Sequence, residues 1–154
     1  MKGIVLAAGK GTRLYPMTKP VCKPLLPVYD KPLIYYPIAT LLQAGIRDIL
    51  VIIPPGEEKE FTNLLGDGSE FGIHIEFAVQ KVARGIADAL IIGEDFIGDD
   101  SVCLVLGDNI FHCHNLDEIM KEAIKDDHGA KVFGYYVDDP RPFGIVEFDE
   151  NGQA

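Results

Sequence analysis

The sequence predicts an α/β protein with a Rossmann-like open sheet, mostly parallel, and with helices on both faces. Short apolar, β-branched runs alternate along the chain with segments of helical periodicity, which is the pattern of βαβ units. The first run is almost continuously apolar, as in a central strand that is covered on both faces. With 154 residues, 47% of them hydrophobic, the chain has the size and composition of one globular domain, residues 1–154.

The predicted strands are apolar runs bounded by polar residues, glycine or proline. The segments KGIVLA, DILVII and SVCLVL are continuous runs typical of buried strands, whereas IHIEFA alternates like a half-buried one. Two further runs near the end of the sequence also have strand character. The strand predictions cover residues 2–7, 48–53, 73–78, 101–106, 131–137 and 143–148.

Helices are predicted over 32–44, 57–65, 85–93 and 116–125. The first has Pro32 near its start and Gly45 just past its end, and the second is amphipathic and closes at Gly66. The last is also amphipathic. Residues 149–152 (DENG) have the composition of a hairpin turn, so the last predicted strand is either a sheet edge or lacks a partner segment.

Charge and composition exclude several classes of protein. The net charge of −10 disfavours nucleic acid or an anionic membrane as the main partner. No window is long and apolar enough to span a bilayer, and the first apolar run is too short for a signal sequence, so we expect a cytoplasmic protein. The three cysteines indicate neither a disulfide framework nor a zinc site.

The charge is unevenly distributed. Residues 1–36 hold six cations and one anion, whereas the rest of the chain holds eight cations and 23 anions. These cations lie among glycines and prolines in a stretch with loop composition. A solvated basic face is one interpretation, and a binding site for a small anion is the one that we favour.

A glycine-rich turn follows the first predicted strand, where open α/β sheets bind ligands. Gly9 and Gly11 would let backbone N–H groups approach phosphate oxygens, and Arg13 could bind phosphate in a bidentate manner. The turn does not match the P-loop pattern. It also fails the dinucleotide pattern G-x-G-x-x-G, because Leu14 stands at the third glycine position, and this mismatch disfavours an NAD-type oxidoreductase. Two glycines in an ordinary strand-exit turn are the alternative.

Two charged residues elsewhere extend this hypothesis. Lys23 lies in a proline-stiffened segment and could act as a point charge beside the turn, or be an ordinary surface lysine. Asp108 follows an apolar strand and could hold Mg²⁺ against phosphates, or cap the turn that follows. His112 and His114 flank Cys113, but such ligands point to opposite sides of an extended segment, so a metal site is disfavoured there.

Residues 9–18 (GKGTRLYPMT) and 23–27 (KPLLP) closely resemble the signature of the sugar-phosphate nucleotidylyltransferases. Within that family, residues 29–37, 65–69, 91–98 and 106–109 resemble the glucose-1-phosphate thymidylyltransferase group, and the resemblance spans the whole chain. It implies a nucleotide-diphospho-sugar transferase fold and transfer of a nucleoside monophosphate from dTTP to glucose 1-phosphate with Mg²⁺, giving dTDP-glucose and pyrophosphate.

The resemblance also implies roles for individual residues. Gly9, Gly11, Thr12 and Arg13 would wrap the triphosphate, Lys23 would face the α-phosphate and the sugar phosphate, and Asp108 would bind the metal. Gln80 would read the pyrimidine edge with Gly85 beside it, and Gly144 would contact the hexose through its backbone. Residues 81–84 (KVAR) depart from the usual proline-containing segment, which leaves the choice between dTTP and UTP open.

Length is the main departure from the family, whose members are nearly twice as long. Their C-terminal half supplies a Glu-Lys pair for the sugar, a second metal-binding aspartate and much of a homo-oligomer interface. We therefore expect a truncated nucleotidyltransferase domain that keeps the nucleotide pocket and has little turnover alone. The alternative is a noncatalytic nucleotide-binding or partner-binding module on the same fold.

Overall fold

The computed structural model describes residues 1–9, 11–125 and 129–153. Its strands are β1 (Lys2–Leu6), β2 (Pro27–Val28), β3 (Lys31–Pro32), β4 (Asp48–Ile53), β5 (His74–Val79) and β6 (Val102–Leu106). Its helices are α1 (Tyr35–Gln43), α2 (Glu58–Leu65), α3 (Asp88–Ile92), α4 (Glu94–Ile97) and α5 (Leu116–Lys125). Short 3-10 turns occupy Thr12–Leu14, Lys23–Leu25 and Ser69–Phe71.

Four strands form one sheet in the order β5-β4-β1-β6, and every neighbouring pair in it is parallel. A small antiparallel ribbon, β2 with β3, lies outside that sheet. The predicted α/β class and the mostly parallel sheet are confirmed. No helix in the described part of the chain has the length and apolarity that a bilayer crossing requires.

Apolar side chains of the central strands are buried on both faces. Successive residues of a strand point to opposite faces, and Ile4 and Val5 of β1, both fully buried, belong to different clusters. The larger cluster joins the sheet to α1, α2 and α5, and includes the fully buried Phe61 of α2. The smaller one includes Ala89 of α3, with Phe96 of α4 packed against it. Helices therefore cover both faces, as predicted.

Two helix boundaries differ from the prediction. The segment 32–44 becomes helical only at Tyr35, because Pro32 pairs with Pro27 in the ribbon. The segment 85–93 contains only the five residues of α3, and α4 follows directly after Gly93. A side chain at position 93 would bring its Cβ to 3.0 Å from Cδ1 of Ile4, so a glycine allows α3 to pack closely on the sheet.

The strand predictions for 131–137 and 143–148 are wrong. Both segments have irregular backbone, and the exposed fractions of Tyr135 and Ile145 are 77% and 69%. A strand needs a hydrogen-bonding neighbour, and none of the described strands pairs with either run. A turn does form at 149–152, with Gly152 N donating to Asp149 O over 3.0 Å, but the described residues beside it are not strands, so it is not a hairpin.

Candidate functional site

A cleft of about 420 Å³ opens where β1 and β6 end. Because β1 and β6 are parallel, their carboxyl ends and the loops that follow lie at the same edge of the sheet. The structure brings eight of the nine candidate residues to the wall of this cleft. They are Gly9, Gly11, Thr12, Arg13, Lys23, Gln80, Gly85 and Asp108.

The glycine-rich turn forms one wall, and its two glycines have different surroundings. Gly11 has a φ of +58°, and a Cβ there would lie 2.9 Å from Cβ of Lys23. Its carbonyl accepts a hydrogen bond of 3.1 Å from Oγ1 of Thr18. A Cβ at Gly9 would meet no described atom within 4 Å. Gly11 therefore permits the close packing of two loop segments, a role that the sequence did not indicate. Lys10, between them, lies outside the described residues.

Lys23 and Asp108 form an ion pair at the cleft. Nζ of Lys23 lies 2.6 Å from Oδ2 of Asp108, and the two side chains are 34% and 39% exposed. Lys23 begins a 3-10 turn with the buried Pro24, and Asp108 follows β6 after one residue. That residue, Gly107, donates its backbone N–H to the Leu6 carbonyl over 2.8 Å. The fold thus joins two charges 85 positions apart.

The Gly107 position explains how β1 and β6 can approach each other at the floor of the cleft. A Cβ there would lie 2.9 Å from Cα of Ala7 and 3.2 Å from the Leu6 carbonyl oxygen. These neighbours include main-chain atoms, which cannot move aside as a flexible side chain can. The glycine before Asp108 therefore fixes where that carboxylate stands relative to the glycine-rich turn.

Gln80 lies at the opposite side of the cleft, directly after β5, and is hydrogen-bonded to Asp88. Its side-chain Nε2 donates to Oδ2 of Asp88 over 2.8 Å, and the two residues are only 6% and 4% exposed. Nη2 of Arg84 lies 2.7 Å from Oδ1 of Asp88. That contact is an ion pair without hydrogen-bond alignment, so Oδ1 accepts no hydrogen bond from the described residues. The Gln80 hydrogen bond and the Arg84 charge lower the pKa of Asp88, against an opposing effect of burial.

Sequence reasoning missed Asp88 and Arg84. Their four-residue spacing is not a helical signal, because Arg84 lies in irregular backbone before α3 begins at Asp88. What the sequence did not show is the backbone conformation of the connection between Gln80 and α3, where Gly85 has a φ of +105°. The buried polar contact arises from this turn.

Gly144 is the candidate residue that the structure does not bring to the cleft. It lies in the exposed segment after α5, and a Cβ there would meet no described atom within 4 Å. His112, Cys113 and His114 are exposed. In the described part of the chain, no group of three His, Cys, Asp or Glu side chains is placed to hold a metal ion.

Comparisons with known proteins find relatives over nearly the whole chain. Residues 2–154 match the family model described as nucleotidyl transferase. The chain is 60% identical over 154 residues to a glucose-1-phosphate thymidylyltransferase of Neisseria gonorrhoeae, covering 100% of this chain and 54% of that protein. It is 56% identical over 153 residues to one of Xanthomonas campestris, with coverages of 99% and 52%. The chain thus spans about half the length of the curated relatives it matches.

Solved structures give the same result at the level of the fold. A putative glucose-1-phosphate thymidylyltransferase from Bacillus anthracis in complex with sucrose superposes with a TM-score of 0.89 at 43% identity, covering 97% of this chain and 61% of that one. A UDP-glucose pyrophosphorylase complexed with UDP-glucose gives a TM-score of 0.64 at 26% identity, with coverages of 80% and 53%. With a family match over nearly all of its residues, this chain belongs to the nucleotidyl transferase family.

Proposed function

We propose that residues 1–154 are the nucleotide-binding part of a glucose-1-phosphate thymidylyltransferase. The reaction would transfer the thymidylyl group of dTTP to glucose 1-phosphate and give dTDP-glucose and pyrophosphate. The observation that carries the proposal is the convergence of Arg13, Lys23, Gln80 and Asp108 on one cleft beside the glycine-rich turn. The names of the relatives support the choice of nucleotide and sugar.

The proposed chemistry needs no general base. A phosphate monoester has a second pKa of about 6, so glucose 1-phosphate is already a nucleophile at neutral pH. Its phosphate oxygen would attack the α-phosphorus of dTTP, and the bond from that phosphorus to the oxygen bridging to the β-phosphate would break, releasing pyrophosphate. Arg13 and Lys23 would hold the two anions in line and offset the charge that develops on phosphorus.

Asp108 fits a magnesium site. Magnesium in proteins commonly uses one or two carboxylates and takes its other ligands from water and substrate phosphates. Asp108 lines the cleft, and its ion pair with Lys23 engages Oδ2, which leaves Oδ1 for a cation. A bound Mg²⁺ would neutralise phosphate oxygens. The family resemblance is the basis for proposing a backbone contact of Gly144 with the hexose and a homo-oligomer of a full-length form. The proposed cytoplasmic location is the expectation drawn from the hydropathy of the sequence.

Titration calorimetry of the 154-residue chain tests the proposal. We expect dTTP to bind in the presence of Mg²⁺ and NAD not to bind. Lys23→Ala should weaken dTTP binding by about 10-fold or more, because a charge-assisted contact contributes about 1.5 to 3 kcal/mol and Asp108 would lose its neutralising partner. Lys121→Ala is the matched control, since Lys121 pairs with Asp117 on the exposed surface of α5. Equal affinities for both variants would contradict the role of Lys23.

A pyrophosphate-release assay with dTTP and glucose 1-phosphate separates the proposal from its alternative. In any longer form that turns over, Lys23→Ala should lower kcat by about 100- to 1000-fold, as the loss of one charge-stabilising contact does. A noncatalytic nucleotide-binding module on this fold would bind dTTP but show no turnover in any form. Robust turnover by residues 1–154 would contradict the expectation that this part has little activity alone.

A further inference from the structure

Gln80 is held by a partner that can only accept hydrogen bonds. An ionised carboxylate has no proton to donate, so the group of Gln80 that faces Asp88 must be its NH₂ and not its carbonyl. The 2.8 Å distance from Nε2 to Oδ2 agrees with that requirement. Asp88 is 4% exposed, so water does not readily replace this contact. The two ends of the Gln80 amide are therefore distinguished before any ligand arrives.

Arg84 stabilises this arrangement from outside the cleft. Its guanidinium lies 2.7 Å from Oδ1 of Asp88, and its side chain is 65% exposed. The positive charge favours the ionised form of the buried carboxylate. Asp88 is thus kept as an acceptor, although burial alone would favour a protonated group able to donate to the Gln80 carbonyl. Oδ2 contacts Gln80 and Oδ1 contacts Arg84, so the carboxylate is itself fixed in orientation.

From this geometry we propose that Asp88 is a positioning residue that orients the Gln80 amide and thereby makes the site select uracil-type bases over cytosine. The inference rests on the proposed function, in which Gln80 faces the pyrimidine. Thymine and uracil present an N–H donor at N3 and an acceptor at O4, whereas cytosine presents an acceptor at N3 and a donor at N4. With its NH₂ held by Asp88, the Gln80 amide keeps its carbonyl as the acceptor for the N3–H of thymine or uracil. The flipped amide would present its NH₂ instead, which suits the acceptor N3 of cytosine.

The inference concerns selectivity against cytosine and not selectivity between thymine and uracil. Uracil and thymine have the same hydrogen-bonding edge and differ by a methyl group, so orientation of Gln80 cannot distinguish dTTP from UTP. It can distinguish either nucleotide from dCTP or CTP. Asp88→Asn is the informative change, because an asparagine of similar shape can either donate or accept and would let the Gln80 amide turn over.

Calorimetric titration of the 154-residue chain with dTTP, UTP and dCTP in the presence of Mg²⁺ tests the inference. For Asp88→Asn we expect the ratio of dTTP to dCTP affinity to fall by about 10-fold or more, the size of one mismatched buried polar contact. The ratio of dTTP to UTP should stay unchanged. Arg84→Ala should retain selectivity against dCTP better than Asp88→Asn does, because it leaves the Asp88–Gln80 hydrogen bond in place.

A purely structural role of Asp88 would give a different result. Asp88→Asn would then lower the melting temperature and weaken all three nucleotides by the same factor, and an unchanged dTTP to dCTP ratio would overturn the inference. If the wild-type chain binds dCTP as well as dTTP, the inference fails while a nucleotide site remains. If it binds none of them, the proposed function fails as well.

NMR of the unliganded protein provides a readout that needs no nucleotide and no change in the chain. The sequence has only three glutamines, so their side-chain NH₂ signals can be assigned individually. The Gln80 amide protons should exchange with solvent much more slowly than those of the exposed Gln43. Equal exchange rates would show that Asp88 does not hold Gln80, and would overturn the inference whatever the nucleotides do.

Discussion

The sheet region, residues 2–125, and the C-terminal segment, residues 131–153, contain similar apolar runs but differ in structure. Ile49 to Ile53 of β4 are at most 3% exposed, and β4 pairs with a strand on each side. In the C-terminal segment Tyr136 is fully exposed and Phe148 is 69% exposed. The difference shows that an apolar, β-branched run becomes a strand only where another strand completes its hydrogen bonds.

Removing one aromatic ring from each region should give the largest contrast. Phe61→Ala empties a fully buried site in the larger cluster and should lower the free energy of unfolding by about 3 to 5 kcal/mol. Phe148→Ala, at a site 69% exposed, should change it by less than about 0.5 kcal/mol. Urea unfolding followed by circular dichroism measures both. Similar losses for the two variants would mean that the C-terminal segment packs as the sheet region does.

Adding one methyl group to a glycine in each region should give a smaller contrast. Gly107→Ala places a Cβ against the backbone of β1 and should cost about 1 to 3 kcal/mol of stability, because main-chain atoms must shift. It should also weaken dTTP binding, since Gly107 lies in the floor of the cleft. Gly144→Ala meets no described atom within 4 Å and should leave stability within about 0.5 kcal/mol of wild type.

The glycine comparison also tests Gly144 itself. Thermal melts report the packing effect of each methyl group, and calorimetry with dTTP reports the effect on the cleft. If Gly144→Ala destabilised the chain as much as Gly107→Ala, the C-terminal segment would have to be packed against the sheet region. That outcome would contradict the contrast between the two regions.

Thiol labelling should show which cysteines lie inside the packed region and which lie outside it. Desolvation by burial, and secondarily the charge of Glu57, raise the pKa of Cys22 to about 12 from an ordinary 9.0. The thiolate is the reactive form, so iodoacetamide at pH 8 should modify the exposed Cys113 well before Cys22. Mass spectrometry of the labelled peptides measures the order. Faster labelling of Cys22 would mean that its loop is open.

The same pKa gives a pH dependence of stability with a definite sign. A group whose pKa is higher in the folded state favours folding fully below its unfolded value, and loses that contribution as the pH rises through the folded value. For Cys22 this window runs from 9.0 to about 12. Between neutral pH and pH 12, the free energy of unfolding should therefore fall further in wild type than in Cys22→Ala. Each protein is compared with its own stability at neutral pH.

Most of the sheet could be predicted because its determinants are local. The continuous apolar runs of β1 and β4 require burial on both faces, and helical segments between parallel strands supply that cover. The similar run of β6 forms the predicted strand but lies at the edge of the described sheet, where only Val105 is buried. The ribbon of β2 and β3 could not be predicted, since each strand has only two residues and both pairings involve a proline or its neighbour. The two wrong strand predictions have a different cause. An apolar run does not itself encode whether a neighbouring strand is present to pair with it.

The candidate site also contains some residues that could be predicted from the sequence and some that could not. Asp108 could be anticipated, because it follows a strand whose end must lie at the carboxyl edge of the sheet. Lys23 could be anticipated because a proline-stiffened segment follows the glycine-rich turn, but the direct contact of the two residues could not. Asp88 was missed because its importance depends on Gln80, which lies eight residues earlier across a turn. A buried hydrogen bond between two side chains leaves no periodic signal in a sequence, unlike an apolar face.

The place of β1 in the middle of the sheet has a consequence for synthesis on the ribosome. Of the described strands β1 is made first, yet one of its two neighbours, β6, begins at Val102. At about 5 to 20 residues per second, translation of the intervening hundred or so residues takes roughly 5 to 20 s. During that interval one edge of β1 has no partner, so the nascent chain must keep an apolar strand from associating with others until β6 emerges.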